Sequence, residues 1–120
     1  MFKLDIGNLS LGILCFVLAH IGAFYQLNGQ FIWKWFEKNE IAVAGFGFIL
    51  SFFYIWGTKY TVAAMDGLLW PARFIGFGIG MLLYAIFVNH YFAESINLKT
   101  MVSLVLCVAL ISIQVLWKVN

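Results

Sequence analysis

Residues 68–90 read LLWPARFIGFGIGMLLYAIFVNH, an apolar run as long as the about 20 residues a helix needs to cross a bilayer, with one charged side chain, Arg73, near its start. Pro71 suits a first helical turn, where its fixed φ is preorganised and its missing amide hydrogen would have no partner anyway. Asp66 and Gly67 just before it make a turn. Three more runs of the same character, 10–33, 41–58 and 99–117, fill nearly all of the 120-residue chain. Backbone in lipid has to satisfy its own hydrogen bonds, so runs of this length become helices. The expected fold is an all-α membrane protein with four transmembrane helices in a single domain over residues 1–120.

Composition points the same way. The chain is 64% hydrophobic, 19% aromatic and only 10% charged, with a single proline, which excludes an ordinary water-soluble domain. The first apolar run begins only after Met1-Phe2-Lys3-Leu4-Asp5 and is too long, without a small-residue cleavage pattern, for a signal peptide, so it is expected to be retained, with the mature chain starting near Met1. Cys15 and Cys107 lie inside apolar runs and are assigned to packing; no Cys/His spacing suits a metal, and no cofactor is expected. A net charge of +2 without a basic block argues against nucleic acid. Neither a Ser/His/Asp set nor a paired carboxylate or phosphate-binding loop is present, so no enzyme activity is expected.

Charged and turn residues fall where the apolar runs stop: 34–40, 59–71 and 89–99. Three short connections between four spans give an up-down bundle with both termini on one face. That face carries Lys3, Lys59, Arg73 and Lys118, and the opposite one carries Lys34, Lys38 and Lys99. A difference of one positive charge leaves the positive-inside rule nearly silent, leaning to cytoplasmic termini and leaving dual insertion open. Trp33, Trp35, Trp56, Trp70, Tyr91 and Trp117 cluster at span ends as an interfacial belt. The fourth helix has Asn97 as N-cap and Lys118 as a cation at its C-terminus.

Gly76, Gly78 and Gly80 form the sharpest local pattern. Gly76 and Gly80 make a small-xxx-small face that lets two backbones approach, and the segment is a packing or bending point. The stretch Gly78-Ile79-Gly80-Met81-Leu82-Leu83, the later Tyr91-Phe92-Ala93-Glu94-Ser95-Ile96-Asn97-Leu98-Lys99 and the run to Trp117 resemble the third and fourth helices of small multidrug resistance transporters. The whole chain, with its aromatic first helix, is similar to four-helix members of the drug/metabolite transporter superfamily. The resemblance implies a bend at the glycines, a dimerising fourth helix and a homodimer. This chain departs from those exporters in the first helix, where they carry a membrane-embedded glutamate: no acidic residue lies between Asp5 and Glu37. Export of lipophilic cations is therefore disfavoured, since a cation in a low-dielectric pocket needs a counter-charge.

In place of that glutamate the first run carries His20, Gln26, Asn28 and Gln30; Arg73 and Gln114 are the other polar groups within the spans. At about 100° per residue His20, Phe24 and Asn28 share one face, and Gln26 and Gln30 share an adjacent face with Gly22. These groups either bond between helices or line a wet cavity, and His20 either handles protons or bonds a neighbouring hydroxyl. Arg73 falls where the resemblance places a substrate-contacting aromatic residue; it either binds a carboxylate or phosphate, or snorkels to the headgroups or pairs with Asp66. The expected site is a cavity lined by His20, Phe24, Asn28, Gln26 and Arg73, walled also by Phe16, with Gly76, Gly78 and Gly80 as the bending or packing element. The expected function is that of a transporter-like homodimer moving a small polar or anionic solute, with the fourth helices holding two copies around a shared cavity through Leu104, Ala109, Ile113 and their neighbours. The rival is a phage-type holin or a non-transporting structural subunit. Both place the chain in a prokaryotic inner membrane or one targeted by a phage.

Overall fold

In the computed structural model, which describes residues 5–94 and 96–117, the chain folds into helix α1 (Ile6–Asn28), a 3₁₀ turn (Gly29–Phe31), a short helix α2 (Lys34–Lys38), and helices α3 (Glu40–Ala64), α4 (Leu69–Phe92) and α5 (Leu98–Leu116). Four segments are long and apolar enough to span a membrane: Ile6–Phe31, Glu40–Ala64, Leu69–Phe92 and Leu98–Leu116. The chain is an all-α, multi-pass membrane protein.

Capping and burial move the helix ends away from the hydropathy edges. α1 starts at Ile6, not near residue 10, because Asp5 caps it: its carboxylate accepts from the Asn8 amide at 3.2 Å and from the Asn8 side chain at 2.9 Å. The apolar pattern runs on to 33, but the α-helix stops at Asn28. There the Asn28 side chain donates to the Phe24 carbonyl at 3.1 Å, and the amides of Ile32 and Trp33 both turn back to the Gly29 carbonyl. Gly29 is needed at this corner, since a Cβ there would run into the Phe36 ring as α2 folds back. At the other end α3 continues past 58 to Ala64, because Thr61 and Ala64 are buried against α1 and keep the backbone helical through a polar stretch.

The connection to α4 shrinks accordingly to residues 65–68, with Asp66 and Gly67 at φ of 56° and 81° making the turn. Pro71 then sits in the first turn of α4, as its ring requires. Ala93, at φ 50°, ends α4 in the left-handed region. Asn97 caps α5, its side chain accepting from the Thr100 amide at 2.9 Å. Lys3, Lys118 and Ser95 of the expected motifs lie outside the described residues.

α1 is the hub. Its Gly12, Gly22 and Gln26 meet Thr61, Leu50 and Val43 of α3 in reverse order, so α1 and α3 are antiparallel. Phe16, His20 and Tyr25 meet Gly76, Gly80 and Tyr91 of α4 in the same order, so α1 and α4 are parallel. Among the described residues α5 packs on α4 alone, seated through Gly78. The core, Leu9, Phe16, Ala64, Met65, Ile75 and Ile79, lies at the end of the bundle that holds the α3–α4 turn. At 54 × 36 × 18 Å the molecule is a thin slab, so most helices keep a bare face.

Candidate functional site

A half-open cleft of about 470 Å³ lies between α3 and α4, floored by α1. Phe16 and His20 form the floor, Tyr54 and Thr58 line the α3 wall, and Arg73 and Phe77 line the α4 wall. The size falls within the range of small-ligand pockets, ~300–1,000 Å³.

His20 is half-buried at the deep end. Its ring stands edge-on to Tyr54, with centroids 5.3 Å apart and planes at 87°, and the Tyr54 hydroxyl lies 3.4 Å from Nδ1. Behind it is Gly80: a Cβ there would come within 2.5–2.9 Å of the imidazole, so only glycine leaves room for the ring. One turn earlier Gly76 accommodates Phe16 in the same way, at 3.2–3.5 Å. The small-xxx-small face of α4 is thus the seat of two cleft residues. Gly78 points elsewhere, into contact with Ile111 and the Cys107 carbonyl of α5, and α4 continues as one α-helix through all three glycines.

Arg73, the chain's only arginine, is exposed at the outer end of the cleft, one turn into α4. The Thr58 hydroxyl gives its hydrogen to the Tyr54 carbonyl at 2.8 Å, which leaves its oxygen lone pairs toward the surroundings. The guanidinium supplies a fixed charge and up to about five N–H donors, and the Tyr54 hydroxyl can add another. Among the described residues no carboxylate lines the cleft. The arrangement suits an anion held near apolar side chains.

The other expected site residues are not in this cleft. Phe24 is 3% exposed, stacked on Phe87 at 4.9 Å and packed against Tyr84 and Tyr91. Asn28 donates to its own helix and accepts from the Tyr84 hydroxyl at 3.4 Å. Both face α4, as their helical spacing with His20 requires, but aromatic rings close that part of the interface. Gln26 faces α3, donating to the carbonyls of Val43 and Ala44 at 3.2 and 3.3 Å beside a second, smaller pocket of about 330 Å³. Gln30 lines that pocket too and donates to the Leu27 carbonyl at 2.9 Å.

The polar side of α1 therefore divides between two neighbours, and one chain forms the His20–Arg73 cleft without a second copy. Tyr54 and Thr58 went unread in the sequence, although their i, i+4 spacing on a membrane helix was a usable signal. Thr61 is wholly buried against Gly12, and its hydroxyl has no hydrogen-bond partner among the described residues. Among the described residues no group of His, Cys, Asp and Glu is placed to hold a metal, and Cys15 and Cys107 are free thiols. Comparison with known proteins finds no matching family model, no curated relative and no similar solved structure.

Proposed function

We propose that this protein is a transporter-like membrane protein that binds a small anionic or polar solute in the cleft between α3 and α4 and works as a homodimer. One observation carries the reading: the single arginine of the chain and the half-buried His20 line the same cleft, with no carboxylate beside them among the described residues. A fixed cation in that setting favours a negatively charged ligand, and the lack of a counter-charge disfavours a cationic one. The glycine seat beneath His20 and Phe16 is the element whose repacking would change the shape of the site. Homodimerisation is supported by α5, which touches only α4 and leaves Val102, Val105, Leu106 and Ile113 about half exposed or more.

Thermal stability of the detergent-solubilised protein, measured against inorganic phosphate, small carboxylates, neutral polar solutes and lipophilic cations, tests the reading. Anions should raise the melting temperature of the wild type, and Arg73→Ala should abolish that shift while leaving the unliganded protein folded. A shift from lipophilic cations alone would overturn it. Large oligomers and abrupt growth arrest on expression would replace it with the lesion-forming alternative.

A further inference from the structure

We propose that the ligand of this cleft is an amphiphilic anion dissolved in the membrane, a carboxylate or phosphate on a hydrocarbon chain, which reaches Arg73 sideways from the bilayer between α3 and α4. The inference rests on the anion-binding reading above and adds the ligand's chain and its route. Three features carry it.

The first is depth. Arg73 is four residues beyond Leu69, the first residue of α4, or about 6 Å along the helix axis at 1.5 Å per residue. Trp70, 73% exposed, lies on the turn before it, and tryptophan marks the headgroup level of a bilayer. The guanidinium therefore stands at the boundary between headgroups and acyl chains, where the charged end of an amphiphile resides.

The second is the mouth. Phe77, one turn deeper than Arg73 on the same wall, lines the cleft and is still 56% exposed. Thr58 opposite is exposed as well. α5 cannot cover this opening, because it is held on α4 through Gly78, whereas Gly76 and Gly80 face α1. The cleft thus opens along the membrane plane, and its exposed rim below the arginine is a phenyl ring.

The third is the lining. Deeper than Arg73 the walls are Phe16, Gly76 and Phe77, with hydroxyls from Tyr54 and Thr58 and the half-buried His20 at the far end. A small hydrated anion entering there exchanges water for mostly apolar surface. An amphiphile keeps its headgroup on Arg73 and lays its first methylenes along Phe77, with the remaining chain in lipid. Each buried methylene favours binding by about fourfold, so two of them outweigh a tenfold preference.

Titration of the protein in a neutral maltoside detergent with dodecyl phosphate, inorganic phosphate and dodecanol tests this. Dodecyl phosphate should bind at least about tenfold more tightly than inorganic phosphate. Arg73→Ala should weaken it by a similar factor, Arg73→Lys should restore part of the loss, and Phe77→Ala should narrow the preference for the chain-bearing anion. Dodecanol, which has the chain without the charge, should compete poorly. Equal affinity for inorganic and dodecyl phosphate would overturn the amphiphile while leaving an anion site. Binding of neither anion would overturn both readings. Tight dodecyl phosphate binding that ignores Arg73→Ala would mean adsorption to the bare apolar surface and would also overturn the proposal. With binding established, bicelles of phosphatidylcholine with and without phosphatidic acid separate the sources: displacement only by those containing phosphatidic acid assigns a bilayer lipid, and no displacement assigns a single-chain solute.

Discussion

Gly78 lies where α4 and α5 meet, and a Cβ at this position would stand 2.6 and 2.8 Å from Ile111 carbons and 3.3 Å from the Cys107 carbonyl oxygen. The last of these is backbone, so a larger side chain would have to push α5 away as a unit. Ala85, two turns further on, lines an open groove between the same helices, where added carbon has space. Gly78→Leu is therefore expected to destabilise the protein by at least the ~1–3 kcal/mol of an overpacked core, and Ala85→Leu by much less. Thermal unfolding in detergent measures both; similar losses would show that the glycine has no special place. The sequence marked this glycine because it stands in a spaced set. It gave no such mark to Gly12, where a Cβ would meet the Thr61 amide nitrogen at 2.9 Å and the Gly57 carbonyl at 3.2 Å. Nor did it mark Gly57 on α3, where a Cβ would meet the Phe16 ring at 2.9–3.1 Å, because both contacts exist only once α1 and α3 have packed.

Within α1, helical periodicity was enough to sort the polar residues by face. His20, Phe24 and Asn28 do meet α4, and Gly22 and Gln26 do meet α3. Periodicity could not tell that the first face closes over Phe24 with aromatic rings and stays open only near His20, since that depends on Phe87, Tyr84 and Tyr91 arriving from another helix. The two glutamines illustrate the same limit. Gln26 ties α1 to the α3 carbonyls of Val43 and Ala44, whereas Gln30 donates back to its own segment at the Leu27 carbonyl. Interhelical hydrogen bonds in membranes contribute on average about 0.6 kcal/mol and at most about 1.7. Gln26→Leu should cost an amount in that range, and Gln30→Leu should cost less. Unfolding of both variants under the same denaturing detergent series checks the order, and a larger loss at Gln30 would reverse the assignment. Helix ends were read least well, because hydropathy falls at Lys59 although burial of Thr61 holds α3 together for another turn.

Across the whole molecule, the alternation of four helices places the α2–α3 junction and the α4–α5 turn on one side of the slab and the α3–α4 turn on the other. Cysteines introduced singly at Asn39, Leu68 and Asn97, in a background with Cys15 and Cys107 replaced, give a direct test with a membrane-impermeant thiol reagent. Asn39→Cys and Asn97→Cys should react from outside to the same extent, and Leu68→Cys to the complementary extent. Finding Asn39 and Leu68 on one side would mean that α3 does not cross. The same labelling reads orientation, for which charge supplies little direction: on the described residues Lys59 and Arg73 stand against Lys34, Lys38 and Lys99. If Arg73 is occupied by an anion or held at the headgroups, its weight in that balance falls further. Each position should then react partly from both faces in sealed vesicles, because two orientations of nearly equal cost are both populated. Adding two lysines to the α3–α4 turn should bias the population toward one of them, with the turn on the cytoplasmic side. Complete one-sided labelling of the unmodified charge pattern would show that something other than lysine and arginine placement fixes the topology.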